Sequence, residues 1–358
     1  MLTDVVLKKR QLAQNRPGWR VGRRAAASLL ALILLATGAP LAAQTPTSAP
    51  TGDVLGVGNF VHIVADLDRS LAFYRDVLGL AVTPSPPFAS DGAISRLGAT
   101  GGGQSRSVAL DVPGLELGVQ LVEYRSEKRN IQRPRFHDPG AANLALRMRD
   151  IDAVFERIAR FPGARVITAG GKPVTMTTPR GVTHIVFVQD PDGFVLELSE
   201  VASPPADAPK GNIIGGAFEP SVVDNAESVQ FYNALLGFQF PPGGEWNTDP
   251  QMAATAGAQG ASFRQSRTTI PGTSDAMTLM QFKNIEGRKL TGRMQDPGTT
   301  VLQLLVRDVT ALTAKLRASG VSVLTTGGAP IEIVPGYRIS LVRDPNNVLL
   351  ELVERAPR

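Results

Sequence analysis

The apolar positions of this chain recur with two periods. In VADLDRSLAFYRDVLGL, residues 64–80, Leu67, Leu71, Tyr74 and Leu78 fall at helical spacing and form one stripe. Asp66, just ahead of the stripe, is suited to accept from the free N–H groups of a first turn, and Gly79 to end the helix in a left-handed conformation. In NLALRM the period is two. Leu144, Leu146 and Met148 alternate with Asn143, Ala145 and Arg147, which predicts a strand with one face on helices and the other on something more polar. THIVFVQ, a turn at Asp-Pro-Asp-Gly, and FVLELSEV predict two more strands. The unit these patterns spell is strand–helix–strands.

The unit repeats. VADLDRSLAFYRDVLGL at 64–80 returns as VVDNAESVQFYNALLGF at 222–238, and HDPGAANLALRMRDIDAVFERI at 137–158 as QDPGTTVLQLLVRDVTALTAKL at 295–316, both 158 residues on. The endings VQDPDGFVLELSE and VRDPNNVLLELVE match at a spacing of 154. A strand leads through Asp into a helix at Asp66, Asp150, Asp224 and Asp308, so each half holds two units. The expected domains are 55–201 and 213–356, joined by a Pro-rich linker at 202–212.

With both segments present twice, residues 55–356 resemble the vicinal oxygen chelate superfamily, which includes glyoxalases, extradiol dioxygenases and bleomycin-resistance proteins. The resemblance implies an α+β fold of four βαβββ modules. These pair, two to a domain, into cup-shaped, mostly antiparallel sheets with helices outside and the ligand in the cup. It also implies metal ligands on the first strand of a module, seven residues before the helix-leading Asp, and on the last strand. Those positions here are Asn59, Asn143, Ala217 and Val301, then Gln120, Glu197, Thr278 and Glu351. None is His. In this frame His62 turns to the helix side, as the counterpart of Leu146, unless a bulge reverses it. His62, His137 and Glu197 are the metal candidates, and no ligand set of the two-His-one-carboxylate kind is visible. His184 has Arg338 as its repeat partner and marks only a polar position.

Charge changes the picture at one end. Residues 1–43 carry seven basic side chains against Asp4, followed by an uncharged apolar run, AAASLLALILLATGAPLAA. This is the order of an export signal cleaved near Ala43, the alternative being a membrane anchor over 25–43, with a disordered linker at 44–54. The expected location is periplasmic or secreted. The remaining 315 residues hold 30 basic and 31 acidic side chains, which leaves no basic field for nucleic acid. With no cysteine, neither disulfides nor thiolate metal sites are available.

Within the first half, Asn59, Gln120, Asn143, Arg147 and Glu197 point to one N-terminal cup, and Tyr124 shares the parity of Gln120. Glu123 and Glu200 fall on the outward parity. The inward set reads either as an internal network with Arg147 paired to Glu197, or as a ligand pocket in which Glu197 acts as a proton-transfer base. Three functions follow: a metal-dependent glyoxalase- or dioxygenase-like enzyme, a metal-free small-molecule binder, and an exported scaffold. The amide-rich cup favours the second, a binder of a small polar or anionic molecule, with a divalent metal as the lesser cofactor expectation and none as the preferred one.

Overall fold

Each predicted strand–helix–strands unit forms. The structure is a computed structural model describing residues 52–356 apart from 83–88, 91, 101–102, 126–127 and 179–180. The expected export signal or anchor, 1–43, and most of the linker expected at 44–54 lie outside the described residues. Among the described residues no helix is long and apolar enough to cross a membrane.

The first module contains β1 (Val54–Val64), α1 (Leu67–Ala72, continued by a π turn over Phe73–Val77), β2 (Ala81–Val82), β3 (Ala89–Ser90), α2 (Gly92–Gly98), β4 (Gln104–Asp111) and β5 (Gly118–Arg125). The second contains β6 (Ala142–Met148), α3 (Asp152–Arg160), β7 (Arg165–Val166), β8 (Val174–Thr178), β9 (Gly181–Gln189) and β10 (Val195–Glu200). The third contains β11 (Ile213–Val222), α4 (Asn225–Leu236), α5 (Pro250–Thr255), β12 (Ser262–Thr269) and β13 (Ala276–Lys283). The fourth contains β14 (Thr300–Val306), α6 (Val309–Ala318), β15 (Ile331–Val334), β16 (Tyr337–Arg343) and β17 (Leu349–Arg355).

In every module the first and last strands lie side by side and parallel: β1 with β5, β6 with β10, β11 with β13, β14 with β17. Modules then join through antiparallel first strands, β1 with β14 and β6 with β11. The first module therefore shares a sheet with the fourth, and the second with the third. This corrects the expectation that the two modules of one half complete one cup. All four first strands are largely buried and apolar, and nothing local to them says which pairs with which.

Within a half, modules meet through helices and through the sheet faces opposite the cups. Tyr74 of α1's π turn donates to Asp190 between β9 and β10, and Arg157 of α3 donates to the Val77 carbonyl. Phe60 of β1 packs at a tilt on Phe194, just before β10, and reaches Phe218 of β11 in the other half, with ring centroids 4.5 and 5.4 Å apart. These side chains belong to the main buried core.

The helix starts follow the sequence rule. Asp66, Asp224 and Asp308 accept from Arg69, Glu227, and Thr310 and Ala311 N–H groups respectively. Gly79 and Gly237 take the left-handed conformation after α1's π turn and α4, at φ 78° and 75°. A second cap comes from the last strand. Glu123, Glu200, Gln281 and Glu354 accept from the N–H of Leu67, Ile151, Asn225 and Val309. Each lies three residues beyond Gln120, Glu197, Thr278 or Glu351, and the odd spacing sends it to the opposite face. Glu123 and Glu200 are thus helix caps, each cap of this kind contributing about 1 kcal/mol.

Candidate functional site

The cup of the first and fourth modules is closed from within. Asn59 donates to Gln303 Oε1 from both its backbone N (2.9 Å) and its Nδ2 (3.1 Å). Gln303 Nε2 donates in turn to Gln120 Oε1 (3.3 Å) and Glu351 Oε2 (3.0 Å). Gly58 leaves room for this, since a Cβ there would stand 2.9 Å from Gln303 Oε1. Over the polar floor Val61, Leu97, Tyr124, Met294, Ile339 and Leu341 pack into one buried cluster, with α2 as its lid. Tyr124 is packing, its phenol pushed up by burial and by the Glu351 charge.

The cup of the second and third modules keeps the asparagine and exchanges the groups around it. Asn143 Nδ2 donates to Glu219 Oε2 (2.9 Å), as Asn59 does to Gln303. Glu219, being a carboxylate, has no N–H to pass on. Its Oε1 lies 3.8 Å from Arg267 Nη1, which donates to Thr278 Oγ1 at 2.9 Å. Glu197, which holds in this module the place of Gln120, is fully buried, and neither of its oxygens has a hydrogen-bond partner. Asn143 Oδ1 beside it lacks one too. Burial first, then the Glu219 charge, push the Glu197 carboxyl well above its ordinary range. Burial also raises Glu219, against the opposing pull of Arg267, Asn143 and Thr278.

Above these carboxyls the cup is open. A recess is bounded by Phe136, Phe187, Met252, Phe263, Met280 and Phe282, with Glu197 and Glu219 on its floor. The lining is that of a small-molecule pocket, an apolar body with few polar groups. The rings form a partial cage, Phe136 lying 5.5 Å from Phe187 and 5.3 Å from Phe282.

Residues 56–198 and 219–352 each match the Glyoxalase/Bleomycin resistance protein/Dioxygenase superfamily. The chain belongs to this superfamily. It is 32% identical over 158 residues to a 2-epi-5-epi-valiolone epimerase of an Actinomyces species, covering 43% of this chain and 82% of that protein. It is 31% identical over 140 residues to the lactoylglutathione lyase of Haemophilus influenzae, 38% of this chain and 86% of that one. The crystal structure of glyoxalase I from Zea mays superposes with a TM-score of 0.51 at 18% identity, over 85% of this chain and 92% of that one, and shares its fold.

As a superfamily member the chain distributes its sequence-predicted site residues over both cups. Asn59, Gln120 and Tyr124 lie in the closed cup, Asn143 and Glu197 in the open one, so they do not form one site. Arg147 lies farther along β6, its guanidinium beside Gly215, where a Cβ would meet Nη2 at 2.5 Å. The expected Arg147–Glu197 hydrogen-bonded pair does not form, because both Glu197 oxygens lack a donor. His137 is buried in the turn before β6 and packs near Phe282, its ring pushed down by burial and by Arg135. His184 is half-buried on β9.

His62 points away from the cups, toward Phe194, as strand alternation predicts. Its Nε2 stands 2.9 Å from Asp190 Oδ2. With Asp192 it makes the one group of three ligating side chains close enough for a metal among the described residues. The carboxylates there are already engaged. Asp190 accepts from Tyr74 and from the N–H groups of Asp192 and Phe194; Asp192 accepts from Ala65 N, Arg69 and Ser70. In the repeat, Asn346 stands for Asp192 and Pro220 for His62, and the same turn forms with Asp344 and Tyr232. The first half has one carboxylate more, and His62 faces it. Burial pushes His62 down, but the two aspartates outweigh it and the net direction is up.

Neither cup fits the superfamily's metal. In the open cup Ala217 offers no donor atom and Thr278 Oγ1 already accepts from Arg267. Both Glu219 oxygens face N–H groups, and no histidine is among the residues that line the recess. In the closed cup Gln303 consumes the lone pairs of Gln120 and Glu351.

Sequence reasoning missed Glu219, Gln303 and Arg267. Glu219 and Gln303 sit two residues beyond the ligand positions Ala217 and Val301, on the same strand face. Following that parity one step farther would have found them.

Proposed function

We propose that this chain is a small-molecule enzyme whose ligand cup is the one between the second and third modules, and that Glu197 exchanges a proton with the bound compound. The observation carrying this reading is the Glu197 carboxyl: fully buried, without a donor, and facing an open cavity. A buried polar group left without a partner costs about 1–3 kcal/mol, more when charged, so its retention argues for use. Two acidic groups on the floor disfavour an anion, which shifts the ligand from the polar or anionic molecule expected from sequence to a neutral one. Its body would lie among the phenylalanines, with a carbonyl or hydroxyl delivered to Glu197. Met252 and Met280, flexible side chains, can move aside for it.

The reaction class this supports is proton transfer at carbon next to a carbonyl. An epimerase among the relatives fits that class, since inverting such a carbon removes and returns one proton. A direct test incubates the purified protein in D₂O with a panel of small neutral ketones and hydroxyketones and follows carbon-bound deuterium by NMR. We expect exchange for cup-binding compounds, lost in Glu197→Gln with the circular dichroism spectrum intact. Binding without exchange for any compound would reduce the protein to a binding module, and absence of both would overturn the reading.

A further inference from the structure

We infer that Thr255, on α5, sets which compounds the open cup admits: it stands where α2 carries Leu97, and the room it leaves receives a compact, branched apolar end in place of a leucine side chain. The inference rests on the reading of this cup as the ligand site. It narrows the ligand to a small neutral carbonyl compound with an isobutyl-sized end.

The two lids are copies. α2 begins at Gly92 and α5 at Pro250, 158 residues on, the spacing that relates the two halves. In that register Leu97 answers to Thr255, Gly98 to Ala256 and Met294 to Phe136. In the closed cup Leu97 is buried with Met294 and Leu341. Gly98 lets the lid down onto this cluster, since a Cβ there would stand 2.6 Å from Met294 Sδ. Ala256 has that Cβ, and it lines the recess together with Thr255 and Phe136. The open cup thus lacks the leucine and adds a methyl where the closed lid makes its close approach.

The wall beneath cannot fold in to make up the difference. Phe187, Phe136, Phe282 and Phe263 brace one another in a row, with ring centroids 5.5, 5.3 and 6.0 Å apart. Such rings repack less readily than the flexible thioether of Met294. The lid is held as well. Thr168 Oγ1 donates to the Thr255 carbonyl at 2.8 Å and Ala169 N to the Ala254 carbonyl at 3.1 Å, both from the connection between β7 and β8 in the opposite module. Thr168 is itself fixed by the Phe187 N–H, which donates to its Oγ1 at 2.7 Å. Lid and wall are tied together at Phe187, so the protein itself sets the height of one over the other.

The Thr255 hydroxyl is used inside α5, where it donates to the Gln251 carbonyl at 2.7 Å. It has no second hydrogen to offer a ligand. Thr255 therefore selects by size, and the polar end of the compound is left to the floor of the cup.

The test uses the full chain and two kinds of probe. Xenon, followed by NMR, reports the apolar recess alone and is indifferent to any reaction. Acetone, ethyl methyl ketone and isobutyl methyl ketone, titrated by ligand-observed NMR, report selectivity. Wild type should bind xenon and prefer isobutyl methyl ketone, whose apolar end is the side chain of leucine. Thr255→Leu puts that side chain on the lid. It should abolish xenon binding and weaken isobutyl methyl ketone about tenfold, the effect of overpacking, while acetone changes little. Thr255→Val, of the same size without the hydroxyl, should keep the wild-type order. Thr255→Ala, which decides the matter if the Leu variant does not fold, should gain affinity most for the isobutyl ketone. Wild type that binds neither xenon nor any ketone would overturn the inference. So would a folded Leu variant with the wild-type order, an Ala variant unchanged from wild type, or a Val variant that behaves as Leu. Selectivity that follows Thr255 without deuterium exchange in any compound removes the proton-transfer reading and leaves this inference standing. Exchange whose order of compounds ignores Thr255 does the reverse.

Discussion

The two cups share an asparagine at their centre and differ in the groups around it. Gln303 and Glu219 occupy matching places and receive the same asparagine bond, from Asn59 and from Asn143. Gln303 has an NH₂ to give onward, and with it satisfies Gln120 and Glu351 together. Glu219 has a second oxygen instead, and Glu197 is left with nothing. The amide cup is roofed by α2 and filled; the carboxyl cup is open and walled by phenylalanine. Repetition supplied two copies of one floor, and the exchange of Gln120, Gln303 and Glu351 for Glu197, Glu219 and Thr278 separates the filled copy from the open one.

The sharpest way to break the comparison is to write the open cup's group into the closed one. Gln303→Glu removes both onward bonds and sets a carboxylate against Glu351, which burial already raises. An uncompensated buried charge of this kind costs about 3–5 kcal/mol. Urea unfolding at pH 8 should show that loss, and at pH 5, where the new acid protonates, much of it should return. Equal destabilisation at both pH values would show that shape, not charge, closes the cup.

Next in size is a contrast between the roofs. Leu97, buried on α2, fills the closed cup, and Leu97→Ala should cost about 2–5 kcal/mol as a cavity opens in packed surroundings. Met252 on α5 borders a cavity that already exists, so Met252→Ala should cost about 1 kcal/mol, below the usual range for buried methionine. Chemical denaturation of the two variants in parallel decides it, and similar losses would mean that the open cup is as tightly packed as the closed one.

The smallest effect concerns pH. Because the Glu197 carboxyl is raised in the fold, the native protein holds a proton that the unfolded chain releases near pH 4.3. Stability therefore falls as pH rises from there and levels off above the folded value. Glu197→Gln removes this slope, so the variant should match wild type near pH 4 and exceed it by about 1–3 kcal/mol at pH 8. A melting-temperature difference that does not change between pH 4 and 8 would place Glu197 in an environment unlike the one described.

Much of the architecture was legible because it depends on local spacing. The Asp66, Asp224 and Asp308 caps, the strand parity that turns His62 away, and the four repeated units all follow from residues close in sequence. The partner of each first strand was not legible, because nothing in the apolar runs of β1, β6, β11 and β14 selects one partner over another. The candidate site suffered from this directly. Asn59 and Asn143 were assigned to one cup, and the residue that distinguishes the cups lies in the other half of the chain. Arg267 gave no signal at all, since an arginine on an edge strand such as β12 reads as surface.

The pairing of first with fourth module also sets an order of assembly. A growing chain presents β1 long before its partner exists, for Asn59 and Gln303 stand 244 residues apart. The second and third modules are neighbours in sequence and can close their sheet as soon as both have emerged, which costs less loop entropy. The open cup is then complete first, and the amide cup serves as the clasp that shuts last. A chain cut short before β14 would retain every residue of the carboxyl floor. It would also expose β1 as an unpaired edge, and so be lost to aggregation rather than to inactivity.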